Sequence, residues 1–188
     1  MSKAITLPFK QQIKTALAMA LLISAIELIN LLTNRSLNQF GLIPRQINGL
    51  FGIISAPFLH GSLWHYFSNI IPFTLFSVLM MQHGTARYIK VSLICTLVSG
   101  LLVWLFARQA IHVGASGLIY GYFGYLVLAG FLSGRIKLLL ISLFVGISYG
   151  TLVFGILPIG RYISWESHLF GLLTGLFCAY YFNKKRSA

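Results

Sequence analysis

The sequence contains no aspartate, and its only carboxylates are Glu27 and Glu166. A Ser-His-Asp triad is therefore impossible. A paired-carboxylate protease site lacks its two acids in one place, and no His-Glu-x-x-His run exists for a zinc hydrolase. Charged residues of both signs are also scarce, at 9%, against about 25% in soluble domains. So few charges cannot cover a water-facing surface, which excludes a cytosolic globular enzyme. A hydrophobic content of 57% excludes a disordered chain. The two cysteines, Cys95 and Cys178, lie within apolar runs and read as small core residues, not as a disulfide framework or a zinc site. Neither an internal repeat nor a lipidation motif is present. Lys and Arg total 14, giving a net charge of +12. They are scattered at the ends of apolar segments and form no patch, which argues against a nucleic-acid partner.

What is present is a succession of apolar runs. A membrane-spanning helix needs about 20 mostly apolar residues, and six stretches meet or approach this. They run from about Thr15 to Leu32, Leu63 to Met81, Val91 to Ala107, Ser116 to Ser133, Leu138 to Leu157 and Ser167 to Phe182. The expected fold class is an all-α polytopic membrane protein with six transmembrane helices. Residues 1–188 form a single six-span membrane domain, with short tails at about 1–14 and 183–188. The connection from Thr33 to Ser62 is too apolar for an aqueous loop (Ile53, Ile54, Phe58, Leu59) and is expected to lie partly in the membrane. One set of segment ends carries Lys3, Lys10, Lys14, Arg87, Lys90, Arg135, Lys137, Lys184, Lys185 and Arg186; the other carries Arg35, Arg45, Arg108 and Arg161. Ten against four predicts both termini in the cytoplasm. The basic, apolar N-terminus resembles a signal peptide, but its run is long and no cleavage pattern follows, so it reads as a retained first helix.

Polar residues within spans are the informative ones, because each costs free energy unless satisfied. Gly114-Ala115-Ser116-Gly117 opens the fourth span. Ser116 reads either as a helix N-cap or as a hydroxyl left uncrowded by its glycines. His168 opens the sixth span, one turn before Gly171 and Gly175. Gly-x-x-x-Gly permits close helix approach in lipid, and the fourth span offers its own small face at Gly117, Gly121 and Gly124. Either this is packing with an incidental interfacial histidine, or His168 reaches the depth of Ser116 for nucleophilic catalysis. His65 and Asn69, four apart on one helix face, offer hydrogen-bond donors without charge, as an oxyanion site requires. Metal binding is disfavoured, since His60 and His65 are five apart and no acid or cysteine lies near. Glu166, two residues from His168, is poorly placed to orient that ring and is expected at the outer membrane edge. Glu27, the one mid-span acid, is expected to bond a neighbouring helix. Any hydrolase here uses a Ser-His dyad.

Taken together, six spans, His-x4-His-x3-Asn on the second, Gly-x-Ser-Gly opening the fourth and His-x-x-Gly-x-x-x-Gly on the sixth resemble the rhomboid intramembrane serine proteases, most closely the bacterial GlpG type. The resemblance runs from about Ile13 to Phe182. It implies Ser116 as nucleophile and His168 as general base. It implies an oxyanion site of His65, Asn69 and the Ser116 N–H, and Tyr120 stacked on the catalytic histidine. It implies a supporting role for His60 and a substrate gate at about Gly146 to Ile163. It further implies cleavage of other proteins' transmembrane segments without a cofactor, in a bacterial inner membrane, with the site opening to the periplasmic side. Two family positions differ. Phe51 and Gly52 stand where the first loop usually has Trp-Arg, so this loop is expected to be braced differently. Met80 stands four before Gly84, where the family often has Glu. About 14 residues precede the first span, too few for the soluble domain of larger GlpG proteins. The remaining readings are an inactive rhomboid relative that binds membrane clients, which would lack the serine or histidine present here, and a small transporter, whose paired mid-membrane charges are missing.

Overall fold

A computed structural model describes residues 7–158 and 164–184. Lys3, Arg161, Lys185, Arg186 and the last part of the expected gate, 159–163, lie outside the described residues. Six long helical runs account for most of the described chain: α1 Phe9–Leu32, α2 Leu63–Met81, α3 Thr85–Phe106, α4 Ser116–Ser133, α5 Ile136–Tyr149 and α6 Trp165–Lys184. Each of the first four is long and apolar enough to cross a membrane, as is α5 with the 3-10 turn that prolongs it to Ile156. Helix α6 matches them in length but is less apolar. It lies against α4 inside the bundle, where Glu166, Thr174 and Asn183 are buried. A helix shielded by its neighbours need not match the lipid. Helix α4 is the most enclosed of the spans and α5 the least.

Several segment ends differ from the hydropathy reading. Helix α1 begins at Phe9, six residues early: Pro8 takes the cap position with its backbone still extended, and its carbonyl accepts from Gln11 and Gln12. Helix α3 begins at Thr85, directly after the sharp turn at Gly84, so Arg87 and Lys90 are helical. It passes through a π-helical turn at Cys95–Ser99, and there Gly100 gives Ile53 of the first connection a place to pack. Both cysteines are buried thiols.

The end of the bundle nearest the described termini is stitched by polar side chains. Gln82 donates to Gln12, Lys137 donates to Gln82 across 2.7 Å, and the Leu7 N–H bonds the Thr85 hydroxyl at 3.1 Å. Between helices, hydroxyl pairs act as glue in the way polar residues do in lipid. Ser24 meets the Tyr66 hydroxyl at 2.5 Å, and Ser92 meets that of Tyr122 at 2.6 Å.

At the opposite end, the connection Thr33–Ser62 consists of short helical turns, including an apolar stretch Ile47–Phe58. Ile47 is 82% exposed, and Phe51 and Ile54 are exposed as well, which suits a segment in contact with lipid. It is braced in another way than by a Trp-Arg pair at Phe51-Gly52. Gly52 allows no side chain, because a Cβ there would strike the backbone of Leu42. Instead Arg45 donates to the carbonyls of Ala107 (2.8 Å) and Leu105 (3.2 Å), while Trp104 donates from α3 to the Gln46 carbonyl (2.9 Å). Leu42 and His112 exchange backbone hydrogen bonds in an isolated antiparallel bridge. Arginine and tryptophan thus still tie this loop down, from different positions.

Glu27 bonds not a neighbouring helix but the loop after its own: it pairs with Arg35 at 3.0 Å. Arg35 also donates to the His60 carbonyl (2.5 Å), which Asn38 (3.2 Å) and Asn30 (3.4 Å) share. The His60 ring is wholly buried, with Nδ1 3.7 Å from Glu27. Burial chiefly, with the nearby His65 ring and the Arg35 charge, lowers its pKa to about 3, so it stands as a neutral ring beside a carboxylate. It meets His65 edge-on, ring centres 5.2 Å apart.

Two predictions follow from this architecture. A Cβ on Gly171 would fall on the Gly117 carbonyl, whereas Gly146 faces open space. Gly171→Leu should therefore lower the thermal midpoint of the detergent-solubilised protein sharply, by the equivalent of about 3 kcal/mol, the upper end for overpacking; Gly146→Ala should leave it nearly unchanged. The second concerns acid. The unfolded chain protonates His60 near 6.5 and the folded one only near 3, so stability is lost as pH falls through that window. With only two carboxylates in the chain, histidines dominate this loss. Thermal midpoints measured from pH 7 to pH 4 should fall less steeply in His60→Gln than in the unaltered protein.

Candidate active site

Ser116 is the first residue of α4 and His168 lies in the first turn of α6. What brings these two starts together is backbone contact. The Gly117 carbonyl lies where a side chain on Gly171 would go, the Gly121 carbonyl where one on Gly175 would go, and the Leu172 carbonyl where one on Gly124 would go. Side chains at these positions would hold the helices apart. With glycine there, Ser116 and His168, 52 positions apart in the sequence, lie on the wall of one cavity of about 880 Å³. Its lining comes from the starts of α2, α4 and α6 and the loops beside them, and also includes His65, Asn69, Tyr120, Arg108 and Trp64. All lie at the end of the bundle away from the described termini. Ser116 is not a capping residue: the α4 cap position is Ala115, with no side-chain cap bond. Its Oγ makes no hydrogen bond among the described residues.

The His168 ring stacks on Tyr120, one turn below Ser116, with centres 4.1 Å apart and planes 6° from parallel. Its Nδ1 lies 2.9 Å from the Gly155 carbonyl. A carbonyl can only accept, so Nδ1 carries the proton and Nε2 keeps its lone pair. The same reasoning sets His65. Its Nδ1 accepts from the Gly61 N–H at 3.4 Å, which leaves Nε2–H as a donor, and Nε2 faces Gly114. There a Cβ would come within 2.6 Å of it, and the backbone φ is +119°. Only glycine suits Gly114 on both counts. The Ser116 N–H, at a helix start, has no intrahelical partner. Asn69 donates its amide to the His65 carbonyl at 2.8 Å, leaving Oδ1 unpartnered and turned toward Gly114. As it stands, the donors on offer are His65 Nε2–H and the Ser116 N–H, and Asn69 adds one on rotation of its amide. His60 lies behind His65 and does not line the cavity.

Sequence reasoning passed over a second polar group. His112, four residues before Ser116, bonds Ser164 Oγ at 2.5 Å and the Arg108 carbonyl at 3.1 Å, and Ser164 bonds Ser167 Oγ at 2.6 Å. The carbonyl requires Nε2–H, so His112 Nδ1 accepts from Ser164. Burial lowers the His112 pKa. This chain pins the start of α6 to the segment preceding α4. Glu166 lies at the end of α6 away from the described termini, but it is buried, and it accepts from the Arg108 N–H at 3.3 Å. Neither carboxylate hydrogen-bonds the His168 ring. Among the described residues no cluster of three or more His, Cys or acidic side chains is suited to a metal ion.

Comparison with known proteins adds independent findings. The Rhomboid domain family model matches residues 48–185. An uncharacterized protein of Mycobacterium bovis is 33% identical over 175 residues, covering 88% of this chain and 73% of its own. One from Mycobacterium leprae is 32% identical over the same length, covering 88% and 69%. The RHOMBOID-like protein 6, mitochondrial, of Arabidopsis thaliana is 31% identical over 137 residues, 71% of this chain and 43% of that one. The family model takes in both the Gly-x-Ser-Gly run and the helix bearing His168, so the backbone-packed helix pair and its cavity belong to a member of the rhomboid family.

Proposed function

We propose that this protein is an intramembrane serine endopeptidase that hydrolyses peptide bonds in or near the transmembrane segments of other membrane proteins, by a Ser116–His168 dyad. The reading rests on one observation above all. The unbonded Ser116 hydroxyl and a histidine held with its Nε2 lone pair available lie on one roomy cavity, beside the His65 donor. His168 Nε2 takes the proton as Ser116 Oγ attacks the scissile carbonyl. The oxyanion forms against the Ser116 N–H and His65 Nε2–H, with Asn69 turning its amide toward it. His168 then protonates the leaving amine, and water admitted through the cavity releases the acyl group by the same steps. The substrate segment unwinds locally beforehand, because helical hydrogen bonds occupy its carbonyls. The reaction as written needs no cofactor. The mycobacterial relatives support a bacterial plasma membrane setting, and the lysine and arginine distribution supports both termini cytoplasmic with the site opening outward.

Cleavage of a labelled single-span substrate in liposomes, mapped by mass spectrometry, should be abolished by Ser116→Ala and nearly so by His168→Ala, with folding retained. A fluorophosphonate should label Ser116. Cleavage undiminished in Ser116→Ala removes the proposal, and a folded protein that binds such segments without cutting or labelling would mark a client-binding relative instead. Removing one oxyanion donor costs about 10²–10³ in rate. His65→Ala should fall in that range, and Asn69→Ala should cost less, since its amide must first give up its bond to the His65 carbonyl.

A further inference from the structure

A two-residue site leaves the surroundings of His168 Nδ1 unexplained. Neither acid serves this ring: Glu27 is paired with Arg35, and Glu166 accepts from Arg108 without bonding His168. His112, which lines the same cavity, is bonded through both ring nitrogens. Yet Nδ1 is not left to water. The Gly155 carbonyl meets it at 2.9 Å, and Gly155 is pressed so closely onto the stacked pair that no side chain fits. A Cβ would collide with the Tyr120 hydroxyl and lie 3.2 Å from His168 Nδ1.

Resting on the reading of Ser116 and His168 as nucleophile and base, we propose that the Gly155 carbonyl is the positioning group of this site, in the place a carboxylate takes in a triad. It holds Nδ1–H, so the tautomer with a bare Nε2 is the one present. When the Ser116 O–H bond breaks and Nε2–H forms, the ring becomes an imidazolium whose Nδ1–H already points at a carbonyl dipole. Tyr120 fixes the plane of the ring and Gly155 its rotation within that plane. Gly155 belongs to the 3-10 turn Gly150–Ile156 that follows α5, the least enclosed helix. Readiness of the base is thereby tied to the seating of that turn on Tyr120: when the turn is displaced, the acceptor leaves with it.

The test is nitrogen NMR of ring-15N histidine in the full chain in micelles, with His168→Gln identifying the resonances, alongside the rate of fluorophosphonate labelling of Ser116. The unaltered protein should show His168 as the Nδ1–H tautomer. Gly155→Ala should bring in the Nε2–H form and slow labelling by about 10- to 100-fold, less than the roughly 10⁴-fold loss when a triad carboxylate is replaced, since a carbonyl is uncharged. Adding Tyr120→Phe to Gly155→Ala removes the hydroxyl that the new methyl strikes, and should restore part of the tautomer and of the rate over Gly155→Ala alone. An Nε2–H ring in the unaltered protein overturns the proposal, whatever becomes of the alanine variant. So does a Gly155→Ala protein that labels slowly with its tautomer unchanged, which would be crowding alone. An Nδ1–H ring in a protein whose Ser116 never labels would overturn the protease reading, and with it any catalytic use of a bond that itself stands.

Discussion

The contact on which the rest depends is that of the α4 and α6 backbones. In lipid, apolar side chains gain nothing by leaving their surroundings for one another, so helices associate through close packing and interhelical hydrogen bonds. Glycines at 117, 121 and 124 on one helix and at 171 and 175 on the other give up side-chain bulk, so that each main chain touches carbonyls of its partner. That approach sets depth as well as proximity. Gly117 follows Ser116 directly and Gly171 lies one turn after His168, so the hydroxyl and the imidazole are carried to one level by the same contact that joins the helices.

The chemistry is arranged around scarcity of charge. Both carboxylates serve the framework, Glu27 by holding Arg35 and the loop through the His60 carbonyl, Glu166 by holding the segment at Arg108. Polar work near the cavity falls to neutral groups whose proton positions are dictated by carbonyls and N–H groups: Gly155 for His168, Gly61 for His65, Arg108 for His112. Neutral partners suit a site sunk among apolar helices, where an unpaired charge is costly. The same economy appears in the first connection, where backbone carbonyls of α3 and the residue after it receive Arg45 in place of a counter-ion.

Much of the fold was legible because membrane spans obey a simple length and polarity rule. The rule failed at ends, where other forces decide. Pro8 and Gly84 set the starts of α1 and α3, regardless of where apolar residues begin. It was weakest for α6, whose neighbours stand in for lipid. In the site, Ser116, His168, His65 and Asn69 were picked out by local spacing and Tyr120 by the family resemblance, and the fold gathers them on one cavity. Gly155, His112 and Ser164 left no such trace, since a backbone carbonyl has no residue identity and a histidine joined to a serine 52 positions away forms no motif. Arg45 and Trp104 brace the first loop from positions where no local pattern announced them.

The sequence by itself determined that the chain is a bundle of membrane-crossing helices, which of its polar residues are too costly to be incidental, and which helices carry the small faces able to meet. These follow from composition and from periodicity along one helix, both local properties. Only the tertiary structure decided which ring nitrogen bears each proton, what His168 Nδ1 bonds, and how Asn69 is turned. Those depend on how closely a donor and an acceptor meet, across one turn at His65, Asn69 and His112 and between α6 and the turn after α5 at His168; a hydrogen bond needs about 3 Å, and residue order alone does not fix that distance.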